Sequence, residues 1–173
     1  IDGHLVALTG GVASDFSNAR FDGYTTVLDA RQYLRLGRRA ALAVRGFGFY
    51  SGGDRPERVN IGGTLGLRGY PNYGYIIGAK AWMVNSELRF PLLDFFTLGT
   101  PAGPARFPEI QGAFFGDVGR TWFFREEHRA VLGSYGVSFR WPIIPGLVLR
   151  LDWGRRWSDR GFQGYGLGPE QKR

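Results

Sequence analysis

The strongest constraint on the fold is a two-residue alternation of apolar and polar side chains that recurs along the chain. Between residues 134 and 141, bulky apolar side chains alternate with small or charged ones. The apolar set is Tyr135, Val137, Phe139 and Trp141. The ranges 81–90 and 147–154 alternate in the same way. Successive side chains of a strand point to opposite faces, so this period predicts strands with one apolar and one polar face.

The alternating segments predict an all-β, antiparallel fold with seven clear strands and a weaker eighth. The seven are expected near residues 4–12, 22–36, 39–50, 80–92, 109–123, 131–142 and 146–157. The eighth, near 160–168, is so rich in glycine that few side chains remain to pack. Most connections are short, as in the turn from Pro142 to Gly146. Two are long, 51–79 and 93–108, and long loops in compact proteins are usually functional or disordered.

Alternation alone fits two classes of protein, a water-soluble sandwich and a membrane barrel. The strands are close to the nine to eleven residues with which a strand crosses a bilayer. In a barrel the apolar face meets lipid and the polar face lines the lumen, whereas a sandwich reverses these roles. Tryptophans stand near strand ends, where indoles favour the membrane boundary but would equally suit a sandwich core. They are Trp82, Trp122, Trp141 and Trp153.

Several chemical functions are excluded or disfavoured by the residues present. Cysteine is absent, so the chain has no disulfide, thiolate metal site or cysteine nucleophile. The net charge of +7 is spread along the chain rather than clustered, which argues against nucleic-acid binding. His4 and His128 do not have metal-ligand spacing, and Gly164–Gly168 lacks the strand and helix that a nucleotide loop requires. We therefore predict no catalytic residue, metal or cofactor, and a protein that is not an enzyme.

One group of residues suggests how the first long connection is held. Its central segment, Gly62–Tyr70, contains Arg68 between glycines, and two later strands each place a carboxylate on the polar face, Glu87 and Asp117. An arginine offers a planar fork of donors that can engage both carboxylates, and flanking glycines let the backbone approach the wall. The alternative is that Arg68 is a solvated loop residue and the two acids are ordinary polar-face residues.

At these residues the chain resembles the superfamily of outer-membrane assembly factors (BamA-like), two-partner secretion transporters and bacterial surface antigens. The family's sixth-loop motif is matched by Leu67, Arg68, Gly69 and Tyr70, and its later strand motif by Phe115, Asp117 and Gly119. Segments resembling 85–92, 136–141 and 149–154 also occur in that order in the family. The resemblance covers nearly the whole chain.

The resemblance implies the C-terminal half of a sixteen-stranded antiparallel transmembrane barrel in the outer membrane of a Gram-negative-type bacterium. Residues 1–173 would form a single barrel domain, with the loop 51–79 inserted into the lumen, where Arg68 meets Glu87 and Asp117. Its implied function is to assist insertion of outer-membrane proteins or translocation of polypeptides. Implied partners are the lipid bilayer, lipopolysaccharide, nascent outer-membrane or secreted polypeptides and periplasmic accessory proteins.

Other interpretations stay open at this point. The chain begins with Ile1 and ends with Glu170–Arg173 rather than the family's terminal aromatic, and we expect a fragment of a longer protein. An even count of eight strands could instead close a small barrel. The barrel could also be passive, anchoring or exporting an upstream domain. A soluble β-sandwich that acts as a binding module is the alternative from outside the membrane.

Overall fold

The structure is a computed structural model that describes residues 2–17, 20–72, 74–100, 103–124, 129–144 and 147–161. The described residues form eleven strands and no helix. In chain order they are β1 Gly3–Asp15, β2 Arg20–Leu36, β3 Ala40–Gly53, β4 Val59–Asn60, β5 Ile77–Gly78, β6 Lys80–Leu93, β7 Phe96–Thr100, β8 Gly103–Phe107, β9 Ile110–Trp122, β10 Leu132–Ile144 and β11 Leu147–Ser158.

Seven of these strands form one antiparallel sheet in the order β1-β2-β3-β6-β9-β10-β11. Each strand therefore pairs with the next long strand along the chain, and the two long connections join neighbours. In the described residues β1 and β11 are edge strands that do not pair with each other, so a closed eight-stranded barrel is wrong for this part of the chain. A second large sheet, which a sandwich needs, is likewise not found in it.

The seven strands predicted from alternation are confirmed, and their observed ends differ from the predicted ones by a few residues. Most of the predicted eighth strand, residues 162–168, lies outside the described residues. The two long connections are more ordered than the sequence predicts. The first contains the two-residue pair β4–β5, and the second contains the hairpin β7–β8. Gly103 and Pro104 at the start of β8 interrupt the alternation, so the sequence does not predict this hairpin. Gly103 has φ of +114°.

The register between the strands places the alternating side chains on two distinct faces of the sheet. We call the face covered by the first long connection the inner face, and the opposite one the outer face. Large apolar side chains are exposed along the outer face of every long strand, and Trp153, at 83%, is among the most exposed of them. Further examples are Val6, Leu8, Leu28, Val84, Phe114, Tyr135, Val137 and Leu151. Of the four tryptophans expected near strand ends, Trp82, Trp122 and Trp141 lie within three residues of one and are half-buried, whereas Trp153 lies in the middle of β11.

The inner face carries most of the charged strand residues and also an apolar core beneath the long connection. This core is formed where the connection folds back onto the sheet and covers Phe49, Ala81 and Met83. The connection contributes Ile61, Leu67, Tyr70 and Ile76. These side chains are removed from water by the loop itself, since the sheet supplies only one layer. The long connection is therefore part of the packed structure rather than a solvent-exposed loop.

The described part of the chain contains no helix of the length and apolar character needed to cross a membrane.

Candidate functional site

The backbone of the long connection makes a compact turn that presents Arg68 to the sheet. The Leu67 amide donates to the Ile61 carbonyl at 2.7 Å, and the Gly63 amide donates to the Tyr70 carbonyl at 3.0 Å. These hydrogen bonds bring the two ends of the segment together and leave the side chain of Arg68 at the tip, pointing into the inner face. Leu67 is fully buried beside it.

The tightness of this turn explains two of the glycines. A Cβ added to Gly62 would lie 2.1 Å from the Pro71 carbonyl oxygen, a distance that no side chain can accommodate. Gly69 has φ of +81°, in the left-handed region that favours glycine. The predicted role of glycine, to let the backbone turn and approach closely, is thus visible at both positions.

Arg68 meets Asp117 of β9 through three hydrogen bonds. Its Nε donates to Oδ2 at 2.8 Å, its second terminal nitrogen donates to Oδ1 at 2.6 Å, and its backbone amide donates to Oδ2 at 3.1 Å. The remaining terminal nitrogen donates to Glu87 Oε2 at 3.1 Å. Arg68 is 4% exposed, Asp117 3% and Glu87 7%. The alternative of a solvated Arg68 is therefore wrong.

Neighbouring side chains complete the hydrogen bonding of both carboxylates. Asp117 also accepts from the Asn85 amide at 2.9 Å and from the Ser134 hydroxyl at 3.1 Å. Glu87 also accepts from Arg140 at 2.8 Å and from Arg89 at 3.0 Å. Buried charges are tolerated when they are paired and hydrogen-bonded, and these partners meet that requirement. We call Arg68, Glu87, Asp117 and these four partners the Arg68 cluster.

An aromatic ring supports the guanidinium from below. The Arg68 Cζ lies 3.8 Å from the centroid of the Phe115 ring, a close cation–π contact. Phe115 faces Gly136 of β10, which in turn faces Gly154 of β11. A Cβ on Gly154 would lie 2.8 Å from the tip of this ring, so the missing side chain makes room for it. Aromatic side chains commonly cover strand glycines in this way.

The last residue of each motif, Tyr70 and Gly119, lies where the loop meets the sheet. The Tyr70 hydroxyl lies 3.0 Å from the Gly133 carbonyl oxygen and 2.9 Å from that of Trp157, where it can donate its proton. A Cβ on Gly119 would lie 2.8 Å from the Trp82 carbonyl oxygen and 3.1 Å from Ile61 of the loop. All eight predicted site residues therefore lie at one junction between the long connection and strands β6 and β9–β11.

The charge of Arg68 is secure in this setting. Burial alone lowers the pKa of a guanidinium, but the hydrogen bond and the charge of Asp117, with the charge of Glu87, outweigh it. The net effect is a pKa above the usual value for arginine. Arg68 therefore stays cationic at every pH at which the protein is folded.

Four members of the cluster were not predicted from the sequence: Asn85, Ser134, Arg89 and Arg140. Asn85 and Ser134 face Asp117 directly from the two neighbouring strands. Both are polar residues on the polar side of an alternating segment, which is a signal the sequence does contain. Their contact with Asp117 depends on the register between strands, and alternation does not specify register.

The inner face next to the cluster forms an open cavity of about 500 Å³. Its lining includes six arginines, Arg31, Arg45, Arg68, Arg89, Arg140 and Arg150. Within the described residues, no group of three or more histidine, aspartate or glutamate side chains is placed to hold a metal ion. His4 is exposed on β1, and His128 lies outside the described residues. The arrangement of the Arg68 cluster therefore holds the loop against the sheet by ionic contacts.

Comparisons with known protein families, with curated proteins and with solved structures find no match to this chain. The resemblance to the assembly-factor superfamily therefore stays a prediction from the motif residues.

Proposed function

We propose that this chain is part of an outer-membrane β-barrel that assists insertion of outer-membrane proteins or translocation of polypeptides. The observation that carries the proposal is the combination of two features on one sheet. Arg68 of a long connection is buried against Asp117 and Glu87 on the inner face, while large apolar side chains are exposed on the outer face.

The exposure pattern supports a lipid-facing outer surface. Soluble monomers rarely expose contiguous apolar patches larger than a few hundred Å². Here every long strand exposes apolar side chains, among them Leu8 on β1, Phe114 on β9 and Trp153 on β11. A bilayer is the environment in which such a surface is stable, because the five inner strands of the sheet are already paired on both sides.

The buried loop supports a role beyond passive anchoring. Several interactions hold the connection against the inner face, so it would stiffen the wall of a barrel and occupy part of its lumen. A stiff wall lets neighbouring strand edges stay poorly paired, and unpaired edges in lipid can template an incoming strand. The partners in this proposal are the bilayer, lipopolysaccharide, unfolded outer-membrane or secreted polypeptides and periplasmic accessory proteins.

The test is an insertion assay with the 173-residue chain reconstituted into lipid vesicles. An unfolded outer-membrane protein is added, and its folding is followed by the shift in gel mobility that folded barrels show before heating. We expect faster folding than in empty vesicles. Arg68→Ala and Asp117→Ala should remove the acceleration while circular dichroism shows unchanged β content.

Two results distinguish the alternatives. If the wild-type chain inserts but does not accelerate folding, the barrel is passive and anchors or exports another domain. If the wild-type chain remains soluble without detergent or lipid, the membrane assignment itself is wrong. Arg20→Ala is the matched control, since this exposed arginine pairs with Asp54 away from the Arg68 cluster and its loss should leave the acceleration intact.

A further inference from the structure

Charged side chains are distributed very unevenly between the two faces of the large sheet. The inner face of its long strands carries many charges of both signs, including Asp29, Arg31 and Arg45. In the described parts of β2 (from Tyr24), β3, β6, β9, β10 and β11, the outer-face positions carry three charged side chains, and all three are cations. They are Lys80, Arg120 and Arg155.

The three cations lie at the same end of their strands, the end from which the long connection leaves the sheet. Lys80 is the first residue of β6, Arg120 lies two residues before the end of β9 at Trp122, and Arg155 lies three residues before the end of β11 at Ser158. At the opposite ends of these strands the outer-face positions of the described residues are uncharged, as at Phe90 and Leu149.

The register shows how far apart these cations are. Lys80 faces Trp122, so Arg120 is its diagonal neighbour, at about 7–8 Å between Cα atoms. Arg155 faces Tyr135, which faces Gly116, four residues from Arg120. With about 3.3 Å per residue and about 4.8 Å between strands, Arg155 lies about 16 Å from Arg120. By the same arithmetic Lys80 and Arg155, three strand spacings apart, are separated by about 24 Å, so the three cations form a strip that borders more than one lipid headgroup.

Aromatic rings surround the same patch. The Lys80 ammonium lies 4.4 Å from the Phe124 ring centroid and 5.1 Å from that of Tyr50. The Arg120 guanidinium lies 5.2 Å from the Trp122 ring. Aromatic and basic side chains together mark the boundary between hydrocarbon and headgroups, whereas a cation at mid-bilayer would cost about 2–4 kcal/mol. We call Lys80, Arg120, Arg155 and these rings the basic belt.

We propose that the basic belt binds the phosphate groups of a multiply phosphorylated glycolipid, of the lipid A class, in the leaflet at the loop end. This inference rests on the proposed membrane barrel and deepens it by assigning a lipid site. A bilayer with the same headgroups on both sides gives no reason for the outer-face strand positions to carry cations at one end alone. A leaflet built from lipids with several phosphates each does give one, because the three cations then border a dense layer of negative charge.

The test measures lipid binding by the 173-residue chain in detergent micelles, using native mass spectrometry. The added lipids are bisphosphorylated lipid A, the same lipid A with both phosphates removed, and phosphatidylglycerol. Each cation near an anionic surface contributes about fivefold in affinity. We therefore expect bisphosphorylated lipid A to bind about tenfold or more tightly than the other two lipids. The triple variant Lys80→Gln, Arg120→Gln, Arg155→Gln should lose this preference.

The matched control removes three arginines from the inner face, outside the Arg68 cluster. Its substitutions are Arg31→Gln, Arg35→Gln and Arg150→Gln. This control should keep the full preference for bisphosphorylated lipid A, although it loses the same formal charge as the belt variant. Equal losses in the two triple variants would overturn the proposal, because binding would then follow net charge rather than the belt.

Two further outcomes would also overturn it. If dephosphorylated lipid A binds as tightly as bisphosphorylated lipid A, the phosphates are not recognised. If phosphatidylglycerol binds as tightly, the basic belt binds any anionic lipid. Flotation with phosphatidylcholine vesicles separates this failure from failure of the proposed function. A chain that floats without lipid A preference contradicts the lipid site alone, whereas a chain that never floats contradicts the barrel and the site together.

Discussion

Replacing Arg68 with alanine is the perturbation that most directly probes the buried cluster. The substitution removes two side-chain hydrogen bonds to Asp117, one to Glu87 and the contact with the Phe115 ring. The third hydrogen bond to Asp117, donated by the backbone amide, can persist in the variant. The carboxylate of Asp117 is left with a side chain that has no exposure to water.

The expected loss can be bounded from these contacts. Removing one partner of a buried ion pair costs about 3–5 kcal/mol, because an uncompensated charge remains. Asp117 keeps its hydrogen bonds from Asn85 and Ser134, and Glu87 keeps Arg89 and Arg140, so we expect the lower end, about 3 kcal/mol. Arg68→Lys keeps the charge but cannot bridge both acids, and should lose about 1–3 kcal/mol.

The assay is urea unfolding of the chain in lipid vesicles, followed by tryptophan fluorescence, with Arg20→Ala as the control for an exposed ion pair. A double-mutant cycle with Asp117→Asn measures the coupling between the two residues directly. We expect a coupling energy of about 2 kcal/mol or more. A loss of unfolding free energy below about 1 kcal/mol for Arg68→Ala, or a coupling energy near zero, would refute the claim that the Arg68 cluster stabilises the fold.

Three further changes test other parts of the loop junction. Gly62→Ala forces a clash with the loop backbone and should expose the connection to limited proteolysis, whereas Gly10→Ala, with open space around it, should not. Tyr70→Phe removes the hydroxyl that bonds to the sheet and should destabilise the chain by about 1 kcal/mol in urea unfolding. Phe115→Leu removes the ring beneath Arg68 and should cost about 1–2 kcal/mol. Unchanged protease resistance in Gly62→Ala, or unchanged midpoints in the other two, would count against the observed packing.

The strands could be predicted because their information is local. Alternation of bulky and small side chains, as in β10, is a property of consecutive residues, and it identified all seven long strands. The hairpin β7–β8 was missed because glycine and proline interrupt its alternation. The openness of the sheet between β1 and β11 is a long-range property, which a strand count does not determine.

The candidate site divides in the same way. Arg68 and its two acids were noticed as an arginine among glycines and two carboxylates on polar faces, but these features left a solvated Arg68 open. The resemblance of residues 67–70 and 115–119 to the family motifs led to the prediction of the buried contact. Ser134 was missed because its contact with Asp117 depends on strand register. The apolar core under the loop was also missed, since Leu67 and Ile76 lie in a segment with no regular period.

The orientation of the sheet relative to lipid is the claim on which the proposed function and the lipid site both depend. Because the chain has no cysteine, single cysteines can be placed along β2 from Leu28 to Leu34 and spin-labelled in vesicles. Collision with oxygen, which concentrates in hydrocarbon, is compared with collision with a water-soluble nickel complex. We predict that the even positions favour oxygen and the odd positions, including Asp29 and Arg31, do not. Even positions that favour the nickel complex, or labels that show no alternation, would contradict a lipid-facing outer surface.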